Sequence, residues 1–209
     1  MKTRDRILLT SLLLFNEEGE QNVTTVDIAN EMDISPGNLY YHFKGKESII
    51  DTLYSQYETE LLSLLNQSTD KPLTIEEHWY FIYVIFEEIY KFRFFYLNSS
   101  DIVLRYPDIE RRFRRLINNK VKTVETLCQH LIQQKALKDD LLDTQLLAEN
   151  ISLCLLYWFP YQHLLNPNVD DVTLIHKGVY HVLSLVAPYI DHGNQEFAQA
   201  IQALYKENT

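Results

Sequence analysis

Residues 35–47 read Ser-Pro-Gly-Asn-Leu-Tyr-Tyr-His-Phe-Lys-Gly-Lys-Glu, and this stretch decides the fold. It predicts a short helix over 36–43, followed by a turn that carries Lys44 and Lys46. At about 100° per residue, Leu39 and Phe43 lie about 40° apart and form an apolar back. Tyr41 and Gly37 point almost the opposite way, Asn38 lies beside them, and Tyr40 and His42 flank the ridge. Upstream, Thr24-Thr25-Val26-Asp27-Ile28-Ala29-Asn30-Glu31-Met32 predicts a second short helix over 25–32, joined to the first by Asp33-Ile34-Ser35 alone. Two short helices on a tight turn form a helix-turn-helix, the unit that sets its second helix into a DNA major groove.

The outward face suits that task. Asn38 can pair bidentately with adenine. Gly37 lets the backbone approach closely, and Tyr40 and Tyr41 can reach a thymine methyl or donate to a phosphate. Thr25 and Ser35 stand at helix starts, where backbone N–H groups also favour anions, and His42 and Lys46 add phosphate contacts. Two adjacent tyrosines cannot both face inward where Leu39 and Phe43 define the inside. Ala29 lets the two helices cross closely, and Asp33 occupies a turn position that calls for positive φ.

Almost everything else also reads as helix. The chain has 209 residues, 46% hydrophobic and 23% charged, with only 5 Gly and 6 Pro, a composition of folded helical domains rather than turn-rich sandwiches or disordered tails. Helices are expected over about 4–18, 46–66, 74–98, 101–105, 108–136, 140–165, 171–190 and 194–206. Thr3 is the expected N-cap and Gly19 the stop of the first, whose inner face is Ile7, Leu8, Ser11, Leu14 and Phe15. Ile49, Leu53, Tyr57 and Leu61 stripe the 46–66 helix. Thr74 and Glu77 form a capping box, residues 67–72 form a loop, and Pro160 is expected to kink the 140–165 helix. The domain boundaries fall at 1–47 and 48–209, inside a helix rather than at a flexible linker.

The net charge is −10, and residues 1–50 carry five Lys/Arg against eight Asp/Glu. Such a balance predicts DNA binding through a few placed contacts, of modest and salt-sensitive affinity. It also keeps a second reading open, a helical small-molecule sensor or adaptor without operator binding. The first residues lack a signal-peptide apolar region, and the apolar run 151–159 is far shorter than the ~20 residues of a membrane span. A cytoplasmic protein with no membrane partner is expected. Cys128 and Cys154 both read as buried small hydrophobes of a reducing compartment.

Thr24 to Glu47, with Arg6-Ile7-Leu8 to Phe15 before it, resembles the DNA-binding segment of the TetR family of bacterial transcription regulators, over about residues 4–50. The resemblance implies an all-α architecture: an N-terminal three-helix helix-turn-helix domain, a C-terminal helical bundle and a two-fold homodimer. It implies a repressor of a palindromic double-stranded DNA operator, released by a small effector and bound to the nucleoid while on DNA. By residue, it implies that Thr25, Asn38, Tyr40 and Tyr41 approach bases or sugars, that Tyr40, His42 and Lys46 hold phosphates, and that Gly37 serves by close approach. Asp33 stands where the family usually has glycine, and Val26-Asp27 leaves the second helix without a basic reader.

In the remainder, residues 79–97 are aromatic nearly all round, which requires burial among other helices. Trp79, Tyr83, Phe86, Glu87, Tyr90 and Phe94 form one stripe. Tyr157, Trp158, Tyr161 and His163 are placed to face it from a later helix. They are either core or the lining of an effector cavity. With Glu87 turned inward such a box suits a lipophilic cation; otherwise it suits an acyl chain or aromatic compound. Arg111, Arg112, Arg114 and Arg115 read as a second DNA contact or as partners of nearby carboxylates. The late helices carry apolar stripes (Leu146, Ile151, Leu155; Val172, Ile175, Val179, Val182, Leu183, Val186). The resemblance implies that these helices pair across the dimer. No phosphate loop, Gly-rich dinucleotide turn or metal-spaced Cys/His pair occurs, so neither an enzyme nor a cofactor or metal is expected.

Overall fold

In the computed structural model the described residues are 1–67, 73–138, 143–166 and 169–191. They form ten α-helices: α1 (Thr3–Glu18), α2 (Thr25–Glu31), α3 (Pro36–His42), α4 (Lys46–Gln67), α5 (Ile75–Lys91), α6 (Phe94–Leu97), α7 (Ser99–Arg105), α8 (Pro107–Gln133), α9 (Thr144–Leu165) and α10 (Asp171–Val186). Among the described residues no strand forms, and one isolated bridge joins Leu137 to Ile190. The chain is all-α, as expected, and divides into two compact units, Met1–Glu60 with Phe92–Phe113, and Leu61–Lys91 with Arg114–Thr209.

The first unit holds α1 to α3, most of α4, and α6, α7 and the start of α8. Ile7, Leu8, Leu12 and Phe15 face inward from α1, so Leu12 takes the place expected of Leu14. Thr3 is the first helical residue rather than the cap, because the Asp5 and Arg6 amides both bond the Lys2 carbonyl, at 3.1 Å each. Gly19 ends α1 at φ 82°, a conformation glycine adopts without strain. Tyr54 and Tyr57 of α4 are wholly buried against Phe95 and Phe92, with ring centroids 5.2 and 5.3 Å apart. The helix expected over 74–98 breaks at Phe92–Arg93. Phe92, Phe94, Phe95 and Tyr96 are all buried, a density that one face of a continuous helix cannot present. The Phe94 amide freed by the break donates to Asn16 Oδ1 at 3.1 Å.

The second unit is built from α5, α8, α9 and α10. Thr74 and Glu77 make both arms of the capping box, at 2.7 and 3.2 Å. The helix α8 stops three residues early. Lys135 turns to φ 57° and the Ala136 amide reaches back to the Leu131 carbonyl at 2.9 Å, a Schellman-type closure. Asp143 caps α9 through the Leu146 amide at 3.0 Å, three residues after the expected start, which lies outside the described residues. The helix α9 continues through Pro160. The helix α10 ends at Val186 and passes into a 3-10 turn over Ala187–Tyr189. The helix expected over 194–206 lies outside the described residues.

Gly178 marks the tightest contact of this unit. A Cβ there would stand 2.7–2.8 Å from the Phe86 ring and 2.8 Å from Trp158 Nε1, so only glycine lets α10 sit this close to its neighbours.

Candidate nucleic-acid interface and effector cavity

The helix-turn-helix is held by short local bonds. Thr25 begins α2, as expected, and Thr24 caps it: its Oγ1 accepts the Asp27 amide at 3.2 Å, while its own N–H and O–H donate to the Asp27 carboxylate at 2.8 and 2.6 Å. Those bonds hold the Asp27 carboxyl below its ordinary pKa, chiefly through the Thr24 hydroxyl. Asp27 is therefore spent on the cap. Asp33 takes the expected positive φ, 54°, and the Ile34 amide closes the turn on the Ala29 carbonyl at 3.0 Å. Ser35 caps α3 by accepting the Asn38 amide at 3.2 Å, with Pro36 in the first helical position, where no N–H is missed.

The structure separates the two faces of α3 as the spacing predicts. Leu39 and Phe43 are each 2% exposed, whereas Tyr40 is 57% and Tyr41 77% exposed. Gly37 and Asn38 are exposed as well, and His42 is half-buried, its ring edge-on to Tyr41 at 5.2 Å. A side chain at Gly37 would meet nothing closer than Ser35 Oγ at 3.9 Å. Packing within the unit therefore does not require glycine there. Lys44, not singled out from sequence, is exposed and lies 4.6 Å over the Tyr40 ring, and Arg4 lies 4.6 Å over Phe43.

Lys46 is engaged inside the unit. Its Nζ donates to the Glu20 and Val23 carbonyls at 2.6 and 2.9 Å and lies 2.8 Å from the wholly buried Glu20 carboxylate. Arg105 at 2.5 Å and the Tyr106 hydroxyl at 2.9 Å complete the shell around Glu20. Burial, then the bond to Glu20, pushes the Tyr106 phenol far above its ordinary pKa. A lysine expected at the DNA backbone thus already has three acceptors, its full capacity.

The expected aromatic box does not assemble. Trp79 and Tyr83 stack at 5.3 Å and both meet His176, while Phe86 packs on Trp158 and Phe159, and Tyr90 on Phe159. Glu87, Tyr157, Tyr161 and His163 are exposed, and Phe94 belongs to the first unit, against Phe15. The cavity, of about 70 Å³, lies on another face of α5. His78, Phe81, Ile82 and Ile85 line it from α5, and Val124, Leu127, Cys128 and Leu131 from α8. Ile151 and Leu155 of α9 and Val182 and Val186 of α10 close it. Burial pushes the Cys128 thiol up to about 11, so it serves as an apolar wall and not a nucleophile.

The arginine run is resolved in part. Arg112 donates to Glu58 at 2.8 Å and to Asp51 at 2.8 Å and lies 4.7 Å over Tyr54, and Arg111 pairs with Asp108. Among the described residues no group of three His, Cys, Asp or Glu is placed to hold a metal, and no helix is long and apolar enough to cross a membrane.

Known proteins agree with this geometry. Residues 7–53 match the family profile described as bacterial regulatory proteins, tetR family, and residues 56–197 the profile described as TetR, bacterial transcriptional repressor. The crystal structure of a TetR-family transcriptional regulator from Marinobacter aquaeolei VT8 is similar over 100% of this chain and 99% of that one, with TM-score 0.89 and 30% identity. The probable HTH-type transcriptional regulator YttP of Bacillus subtilis is 22% identical over 147 residues, 66% of this chain. The negative transcriptional regulator IcaR of the Staphylococcus aureus biofilm operon is 40% identical over 48 residues, 23% of this chain. These matches span 60% and 26% of the two relatives' own lengths. The chain belongs to the TetR family of bacterial transcriptional regulators, DNA-binding proteins of repressor type.

Proposed function

We propose that this chain is a homodimeric repressor of a palindromic operator in the bacterial cytoplasm, released when a small lipophilic or aromatic effector enters the cavity of the second unit. The observation that carries the reading is the face of α3, with Leu39 and Phe43 buried and Gly37, Asn38, Tyr40 and Tyr41 presented outward. Asn38 and Tyr41 read bases, Gly37 admits the backbone, and Tyr40, His42, Thr25 and Ser35 set the register on phosphates and sugars. Dimerisation through α9 is supported by Leu146, Leu153, Tyr157, Tyr161 and Leu164. All are 49–82% exposed and, at about 100° per residue, lie within one stripe of the helix. A contiguous apolar stripe of this kind suits an isologous contact. Helix α4 carries residues of both units, Lys46 in the first and Leu61 in the second, and so offers a covalent route for the signal.

The test is capture of genomic fragments by the purified protein, then titration of a palindromic duplex derived from them. Asn38→Ala is expected to weaken binding by about 1–3 kcal/mol and to relax the preference at one base position. Tyr41→Ala weakens it as well. Equal affinity of wild type and both variants for the duplex refutes the assignment of α3. Retention of no fragment at low salt, with ligand-induced thermal stabilisation intact, selects the sensor or adaptor reading instead.

A further inference from the structure

The effector cavity has a wall of carbon, and His78, which lines it, carries an unsatisfied nitrogen. His78 is 8% exposed, and its Nδ1 lies 2.7 Å from the Thr74 carbonyl. A carbonyl can only accept, so the proton of the neutral ring is on Nδ1 and Nε2 carries the lone pair. That Nε2 is buried without a hydrogen-bond partner and presents no surface to the cavity, so a guest reaches it only through a small shift of the His78 ring. Burial, foremost, and the neighbouring His130 hold the ring below its ordinary pKa and keep it neutral. His130 follows the cavity-lining Leu127 and Cys128 on α8 and also leaves a buried nitrogen, Nδ1, unpartnered. A buried acceptor without a donor is a cost that a suitable guest removes.

The rest of the wall excludes charged guests. The Glu87 carboxylate, the group that would have matched a cation, is exposed and does not line the cavity. No cation lines it either. Lys120, one turn before Val124 on α8, is wholly buried and outside the lining. At about 12 Å³ per water on this measure, 70 Å³ corresponds to about six waters, the room of a guest with about six carbons.

We propose that His78 Nε2 is the polar anchor of the cavity and that the effector is an uncharged, mainly apolar molecule that donates one hydroxyl hydrogen bond, of the alcohol or phenol class. The assignment rests on reading the cavity as the effector site. Affinity then comes from the apolar wall, and selection among guests from Nε2, since a donor-less analogue leaves the nitrogen orphaned.

The test uses the full chain and four probes of matched length: 1-hexanol, its donor-less isostere 1-methoxypentane, hexanoate and hexylammonium. Affinities are read by calorimetry and by the rise in unfolding temperature. Wild type is expected to bind 1-hexanol about tenfold more tightly than the ether, the worth of one hydrogen bond. His78→Phe, which keeps the ring shape, binds both alike, and His78→Gln, whose amide oxygen can accept, restores part of the preference. Equal binding of hexanol and ether to wild type overturns the anchor while leaving the cavity reading intact, and requires no variant to fold. Tightest binding of hexanoate also overturns it and moves the anchor to Lys120. Tightest binding of hexylammonium overturns the uncharged class. If none of the four probes binds, the effector reading of the cavity fails and the inference with it.

Discussion

Lys46 gives the sharpest test of how this protein holds DNA. Its ammonium has two carbonyls and the Glu20 carboxylate within 2.6–2.9 Å, and its side chain is 23% exposed. Lys46→Met keeps the length of the stem and removes those bonds. Breaking a fully buried pair costs about 3–5 kcal/mol. Here Arg105 and Tyr106 still face Glu20, and water can reach the opened carbonyls through the exposed quarter of the site. The loss is therefore about 2 kcal/mol, nearer the worth of one hydrogen bond to a charged group. For a chain of this size that lowers Tm by about 4–8 °C. The functional readout is the slope of log Kd against log salt for an operator duplex, to which each phosphate contact contributes about 0.9. If Lys46 braces the turn behind α3, the variant is less stable but its slope, measured well below Tm, equals that of wild type. An unchanged Tm with a slope smaller by about 0.9 per protomer refutes the reasoning, since Nζ would then leave Glu20 for a phosphate.

Three further outcomes test the packing. Gly178→Ala gains about 1 kcal/mol of helix propensity but drives a methyl into the buried Phe86 ring and into Trp158, whose indole is fixed on the Leu174 carbonyl at 3.0 Å. Overpacking of about 1–3 kcal/mol wins, so urea unfolding should show a net loss, and a more stable variant contradicts it. Burial brings the Lys120 ammonium down to about 7 from an ordinary 10.5, so between those values the unfolded chain binds a proton that the folded one does not. Stability should rise with pH across that window, by an amount on the order of a few kcal/mol, and Lys120→Met should flatten the rise; an equal slope in the variant rules this out. Arg112→Leu removes the half-buried pair with Glu58 and should cost about 1–3 kcal/mol, whereas Arg111→Ala, at a pair almost fully in water, should cost nothing measurable in chemical denaturation.

What could be read from the sequence was whatever is decided within a few residues. The two faces of α3, the Asp33 turn and the Thr74–Glu77 box are set by spacing and local bonds, and each stands where expected. Distant partners leave no such trace. The break between α5 and α6 is fixed by Asn16, 78 residues away, and Lys46 is drawn inward by Glu20, 26 residues away, together with Arg105. In α5 the difficulty is different. It is apolar on nearly every face, so periodicity could not separate the Trp79–Tyr83–Phe86 side, which packs solidly, from the His78–Ile82–Ile85 side, which lines the cavity. The choice belongs to α8, α9 and α10.

The acidic balance of the first fifty residues looks different once their partners are known. Glu20 is buried between Lys46 and Arg105, and Asp27 is folded into the Thr24 cap, so neither opposes a phosphate as a free surface charge would. No acid lies between Gly37 and Lys44, along the exposed ridge itself. On the other side of the account, Lys46 is also consumed, leaving Lys2, Arg4, Arg6 and Lys44 as the exposed cations. Four such groups per protomer give the first fifty residues an electrostatic contribution to the salt slope of at most about 4 per protomer. On the reading of α3 proposed above, discrimination between operators comes from the uncharged ridge of Gly37, Asn38, Tyr40 and Tyr41, since hydrogen bonds and van der Waals contacts are weakly affected by salt. Raising the ionic strength should therefore weaken specific and non-specific DNA binding by similar factors and leave the ratio between them nearly unchanged, which parallel salt titrations of an operator and a scrambled duplex check.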